Sequence, residues 1–286
     1  CPVECFCIHI PLGVYLRRIN QRRISMHKNH TNPIPFLMYH EIREDGDPYS
    51  VSESEFRLQM KYLYGYNFHT ITLRDFYQHR RENVLLPSNV IVITFDDGYA
   101  NNFTKAFPIL ANYDFRATFF ITTNLIKIQR GLSEQQISEL NNAGMCIGSH
   151  TKTHRFLSAL NTEEIRSELA DSKKILEDII ESKVEHLSLP GGRSKKRSQQ
   201  IAEEVGYKTI CTSRVGCNNL NSDIFRLCRI PIKKSINMEA FTKIVSGDEN
   251  YFHKLQKMSR LKNMGKLMLG NKLYHSFWKI FHSNSG

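Results

Sequence analysis

From residue 34 onward, short apolar runs alternate with segments whose apolar positions recur every three or four residues. That alternation is the mark of repeated β-α units around a mostly parallel sheet, either a barrel or a doubly wound sheet. The first strand is predicted at Ile34 to Tyr39, ending in His40 and Glu41. A loop with Gly46 and Pro48 leads to Ser52, an N-cap, and to a helix from Glu53 to about Tyr64. Phe68 to Thr72 reads as a second strand, and Val90 to Phe95 as a strand covered on both faces, since its β-branched and aromatic run shows no polar alternation. A helix near Asn102 to Tyr113 and a strand at Ala117 to Thr122 follow. Ser133 and Gln136 form a capping box for a helix that stops at Gly144. Met145 to Gly148 is the next strand, then comes a long amphipathic helix from Thr162 to about Ile180 and a strand around His186 to Leu189. Further units lie at Gln199 to Val205, Tyr207 to Thr212 and Arg226 to Ile232.

Composition adds the scale of the core. With 286 residues, 41% of them hydrophobic and 10% aromatic, the chain can bury a sizeable interior, which excludes a disordered or fibrous protein. No stretch approaches the length of an apolar membrane span. The net charge of +11 sits at the ends: residues 1 to 30 carry five Lys/Arg against one acid, and residues 251 to 286 carry seven against none. The balanced middle gives no basic face for nucleic acid. Three regions follow: a basic extension over 1–30, a catalytic domain over 31–245 and a basic tail over 246–286. In the tail, Phe252, Leu255, Met258, Leu261 and Met264 recur with basic residues between them. Residues 251–286 therefore read as an amphipathic helix able to lie on an anionic membrane surface.

Seven scattered Cys without a CxxC pair read as reduced thiols. The apolar run from Cys5 to Leu16 precedes its arginines, the reverse of a signal peptide. Position 1 is not Met, and Met26 precedes the first strand, so residues 1–25 have the look of a gene-start artefact or of a truncated beginning. The expected location is cytoplasmic or peripheral at the inner membrane face.

The candidate chemistry lies where strands end, the functional face of a β/α barrel. Asp96 and Asp97 close the strongest strand, and two adjacent buried carboxylates are costly without a cation. Ser149-His150-Thr151-Lys152-Thr153-His154 supplies two imidazoles four residues apart, a spacing that suits one side of a helical turn and a shared metal. Two His and one Asp leave positions open for water and substrate, as in a hydrolytic zinc site. The turn Leu189-Pro190-Gly191-Gly192-Arg193 offers backbone N–H groups and a cation.

Thr94-Phe95-Asp96-Asp97-Gly98 and the His150 to His154 segment resemble the first two motifs of the polysaccharide deacetylase family, the NodB-homology or carbohydrate esterase family 4 domain. Further likeness runs through Phe36 to His40, Tyr66 to Phe76 and Ala117 to Ile121, so that the resemblance covers roughly residues 34 to 232. It implies a distorted (β/α) barrel holding one divalent metal, with zinc expected, on Asp97, His150 and His154. It also implies Asp96 as the general base for attack of metal-bound water on an acetyl group, most simply N-acetyl, of a glycan or glycolipid. Tyr99, Pro190, Gly191, Arg193 and His40 are the candidate substrate or oxyanion residues.

Two departures stand out. The family's third motif, Arg-x-Pro-aromatic-Gly, has Ser188 at the Arg position and Gly191 at the aromatic one, with Arg193 as the candidate substitute. The terminal Leu-x-His, whose His protonates the leaving amine, has no clear counterpart, and His40 is the candidate stand-in. Rival readings are a glycan-binding pseudoenzyme on the same fold and a membrane-surface protein acting through its tail.

Overall fold

The computed structural model describes residues 33–259 and 261, apart from 46, 129 and 193–195. The N-terminal extension, Gly46, Arg193 and the tail beyond Leu261 lie outside the described residues. The strands are β1 (Ile34–Tyr39), β2 (His69–Ile71), β3 (Val90–Phe95), β4 (Thr118–Ile121), β5 (Cys146–Ser149), β6 (His186–Ser188), β7 (Thr209–Cys211), β8 (Cys217–Asn218) and β9 (Ile230–Pro231). The helices are α1 (Glu53–Gly65), α2 (Leu73–Glu82), α3 (Phe107–Asn112), α4 (Glu134–Asn142), α5 (Thr162–Ile180), α6 (Lys196–Val205) and α7 (Met238–Val245). A further helical stretch covers 249–259.

The sheet runs β7-β6-β5-β4-β3-β1-β8, with β2 paired to β3 and β9 to β1. All its pairings are parallel except β1 with β8. Its two ends are joined through one segment. Leu227 N–H donates to the Ile210 carbonyl at 3.0 Å, and Thr212 N–H donates to the Leu227 carbonyl at 2.9 Å. Three residues on, β9 pairs with β1 at Leu37↔Ile230. The sheet is thereby curled into a distorted (β/α) barrel of the NodB-homology type.

Strand alternation sorts the side chains into two layers. Val90 and Val92 join Phe36, Phe76, Phe120 and Leu227 in an inner cluster, whereas Ile91, Ile93 and Phe95 join the larger core under the helices. The same parity carries Thr94 and then Asp96 inward. Helix α2 reaches the inner cluster with Leu73 and Phe76, and the Phe76 ring meets Phe36 edge-on at 5.2 Å. The sequence pattern did not single out α2, although Thr72 and Asp75 form a full capping box at its start. The helix expected near Asn102 begins as a π-helical turn, Asn102–Ala106, before α3.

The start of the basic tail belongs to the fold. Phe252 is buried against the main core, with Tyr251 and Leu255 packed beside it. That part of the apolar stripe is therefore unavailable to a membrane; Met258 and Leu261 are exposed. Among the described residues no helix is long and apolar enough to cross a membrane.

One buried histidine lies away from the strand-end residues singled out in the sequence and should make the fold acid-sensitive. His186 on β6 shares a hydrogen bond of 2.9 Å with Thr209 Oγ1, and burial, helped by the Arg74 and Lys173 cations, holds its pKa down at about 3 against the ordinary 6.5. Its contribution to stability is complete above pH 6.5. It is lost as pH falls from 6.5 toward 3, because the unfolded chain takes up a proton that the folded chain refuses. Urea titrations across that window should show an unfolding free energy falling by up to about 1.4 kcal/mol per pH unit from this group. His186→Gln should flatten the slope by that amount, and an unchanged slope would refute the assignment.

Candidate active site

β3 delivers two carboxylates to one place by breaking its own alternation. Asp96 follows the inward parity; Asp97, one residue on, would face the other way, but it adopts φ +75°. The chain turns there through Gly98, φ +81°, where a Cβ would stand 3.0 Å from Ile121 Cγ2. Thr122 N–H donates to the Asp97 carbonyl and Leu132 N–H to the Gly98 carbonyl, which fixes the turn against β4. β5 contributes His150, also inward, because Gly148 two residues earlier leaves room for the Phe120 ring.

The His150 to His154 segment is not the helical turn that its spacing suggests. It is a loop in which Thr151 (φ +67°) and His154 (φ +62°) both hold left-handed backbone. For a β-branched residue such as Thr151 this is an outlier, and such strain persists where surrounding bonds over-determine it. Here Thr151 N–H donates to Ser149 Oγ and His154 N–H donates to Thr151 Oγ1, each at 3.1 Å.

The result is a convergence of three ligand atoms. Asp97 Oδ1 lies 3.4 Å from His150 Nε2 and 3.3 Å from His154 Nε2. One atom from each residue falls within 4.8 Å of the others. His150 Nδ1 is 2.8 Å from the Ser188 carbonyl, which can only accept, so Nδ1 carries the hydrogen and Nε2 presents a lone pair. Two imidazole nitrogens and one carboxylate oxygen are a donor set that suits a divalent cation.

Asp96 is held differently. Arg229, fully buried, grips it with both arms: Nη1 donates to Oδ1 at 2.6 Å and Nη2 to Oδ2 at 2.7 Å. Ser188 Oγ donates to Oδ2 at 3.1 Å and accepts from Arg229 Nη2 at 2.7 Å. The guanidinium is seated by Thr94 Oγ1 and the Thr212 carbonyl, and it lies over the Phe120 ring. Three of the four lone-pair sites of Asp96 are thus engaged, and one on Oδ1 is left.

The electrostatics follow from these contacts. Burial alone would raise the pKa of Asp96, but Arg229, followed by His150, holds its carboxyl far below the usual carboxylate range. Asp97 is also lowered against the effect of its burial, by the His154 hydrogen bond and by His150. Burial lowers His150, whereas the bond to Asp97 raises His154.

The other expected residues are placed as follows. His40 ends β1 beside the Asp96 end of β3, and its charge bears on both aspartates. Its ring lies 5.3 Å from that of Tyr49, over which Lys233 Nζ sits at 4.2 Å, and its buried Nδ1 has no hydrogen-bond partner. Asn102 Nδ2 donates to the His40 carbonyl at 2.7 Å, so the π-helical turn after β3 anchors the end of β1. Tyr99 is half-buried under Arg130, and burial with nearby Asp97 pushes its phenol up to about 12. Pro190 is buried; Gly191 takes φ +65°, with the Phe156 ring where a side chain would stand. Gly192 N–H is not free as expected, since it donates to the Leu189 carbonyl at 2.7 Å.

The chain resembles known proteins. A family profile described as polysaccharide deacetylase matches residues 84–210. The Bacillus subtilis protein YxkH, named for that activity, is 31% identical over 208 residues, 73% of this chain and 74% of its own length. The chain belongs to the polysaccharide deacetylase family. It is also 24% identical over 187 residues to a poly-β-1,6-N-acetyl-D-glucosamine N-deacetylase of Staphylococcus aureus, over 60% of this chain and 64% of that one. Among solved structures, the Streptococcus pyogenes deacetylase PplD in complex with acetate superposes with a TM-score of 0.70 at 26% identity, covering 75% of this chain and 98% of that one. A Bacillus cereus polysaccharide deacetylase gives 0.67 at 25% identity, over 75% and 69%.

As a polysaccharide deacetylase the protein is a hydrolase, and its family uses a divalent metal. One departure from the family pattern is resolved by the fold. Ser188 does occupy the Arg position of the third motif, but the guanidinium beside the first Asp comes from Arg229, at the far end of the sequence domain. The substitute expected at Arg193 is therefore not needed. Sequence reading passed over Arg229, and one signal was present: a lone cation inside the apolar run Leu227 to Ile232.

Proposed function

We propose that this deacetylase removes N-acetyl groups from a hexosamine glycan or glycolipid, with Asp96 as general base and with zinc held by Asp97, His150 and His154. The observation that carries the reading is an aspartate kept ionised by Arg229 immediately beside three convergent metal-ligand atoms. The named activity of the Staphylococcus aureus relative supports the N-acetyl choice.

A divalent cation in the triad supplies Lewis acidity, polarising the acetyl carbonyl and lowering the pKa of water. Asp96 accepts the proton of the attacking water on the open lone pair of Oδ1. Arg229 favours the ionised carboxylate, the form able to accept that proton. As the C–N bond breaks, the nitrogen needs a proton, and His40 donates it; its ring is kept in place by Tyr49 rather than by a hydrogen bond at Nδ1. Tyr99, whose phenol stays protonated at neutral pH, and the Gly191 backbone N–H are the donors assigned in this reading to the developing oxyanion.

The pseudoenzyme reading rested in part on the missing Arg at position 188, and Arg229 removes that motive. Acetate release from N-acetylglucosamine oligomers tests the proposal. Release by the purified chain should stop on chelation and return with zinc, while His150→Ala should stay inactive at zinc concentrations that saturate the wild type. Oligomer binding without acetate release, by protein carrying about one zinc per chain, would sink the hydrolytic reading.

A further inference from the structure

One face of α5 is fastened to the loop that carries the second imidazole. Glu164, Glu168, Asp171 and Ser172 share that face at helical spacing. Ser172 Oγ is 2.8 Å from Ser149 Oγ, Lys152 Nζ donates to Asp171 Oδ2 at 2.8 Å, and Arg155 Nη2 donates to Glu164 Oε1 at 3.0 Å. The last two pairs are largely exposed and contribute little.

Glu168 is the exception. It is a carboxylate only 5% exposed, and its contacts go to two of the three residues between His150 and His154. Oε2 accepts the Lys152 N–H at 3.0 Å and the Thr153 N–H at 2.9 Å, and Oε1 accepts the Thr153 hydroxyl. Those bonds span the stretch between the two left-handed residues, Thr151 and His154. The loop after β4 also holds this segment, through Thr123 N–H to the Thr151 carbonyl at 3.2 Å and Asn124 N–H to the Lys152 carbonyl at 2.9 Å. The N–H groups of Lys152 and Thr153, however, go to Glu168, and without it the strained backbone should relax toward ordinary φ values and carry the His154 ring away from Asp97.

We infer that Glu168 is a positioning residue for the metal centre: it sets metal affinity by holding loop 151–154 in the strained form that presents His154 to the ion. The inference rests on the metal reading above. The outer groups that orient metal ligands typically contribute 10- to 100-fold in affinity, and here the oriented element is the backbone of the ligand rather than its ring.

The test is the zinc Kd of the full chain, measured by competition with a chromophoric chelator at fixed pH, together with the melting temperature of the metal-free protein. Glu168→Ala should weaken zinc binding by about 10- to 100-fold. Glu168→Gln should stay within about threefold of wild type, because its amide oxygen still accepts both backbone N–H groups. A purely structural role would lower the metal-free melting temperature and leave the zinc Kd unchanged; that result in Glu168→Ala overturns the inference. Should Glu168→Ala fail to fold, Thr153→Val removes a single bond of the set. A weakened Kd in that variant supports the inference, and a wild-type Kd overturns it. Absence of zinc binding by the wild type would instead overturn the metal reading, and this inference with it, so the two failures are told apart.

Discussion

Arg229→Leu should lower the unfolding free energy by about 3–5 kcal/mol, the usual cost of leaving one member of a buried ion pair without the other. The variant keeps Asp96 in a fully enclosed position but removes both guanidinium bonds and the charge that keeps the carboxyl ionised. Acetate release should fall with it, because a buried carboxyl without a cation takes up a proton and ceases to be a base. The double variant Asp96→Leu/Arg229→Leu should recover most of the lost stability and none of the activity, since removing both charges also removes both desolvation costs. Urea denaturation and acetate release on the single and double variants check this. A single variant within about 1 kcal/mol of wild type would mean that the pair is not what holds this part of the barrel.

Asp96→Asn should lower kcat by about 10²- to 10⁴-fold, the range expected when a positioned base is lost. Zinc content should stay near that of the wild type, because Asp96 is not among the three residues whose ligand atoms converge. Asp97→Asn should behave in the opposite order and lose zinc first. Measuring zinc per chain beside kcat separates the two carboxylates, which the sequence presents as an undivided pair. Equal zinc loss in both variants would contradict the division of roles.

The strands and the long helix were legible because their signals are local. Val90 to Phe95 is apolar throughout, and Thr162 to Ile180 has both its amphipathic stripe and its Asn161 cap. Asp96, Asp97 and His150 stand out in the sequence because they sit where strands end, and His154 through its spacing from His150. What stayed hidden depends on which strands become neighbours. Arg229 is 133 residues from Asp96, and no local pattern shows that the segment after β7 returns along β1. β8 was missed because two residues carry too little pattern. α2 was missed because only Leu73 and Phe76 of its ten residues are buried, although its capping box was there to be read. The spacing of His150 and His154 suggested a helical turn, and the positive φ values that replace it come from bonds to Ser149 and Glu168, which spacing does not encode.

The route by which the barrel closes also orders events in time. As the chain leaves the ribosome, Asp97, His150 and His154, whose ligand atoms converge, have all emerged by residue 154, whereas Arg229, which grips Asp96, emerges only just ahead of β9. Until then Asp96 lacks the guanidinium that grips it in the folded barrel. The Asp96–Arg229 pair thus ties an early part of the barrel to a late one, and a chain cut short before Arg229 would leave the Asp96 carboxyl without its partner.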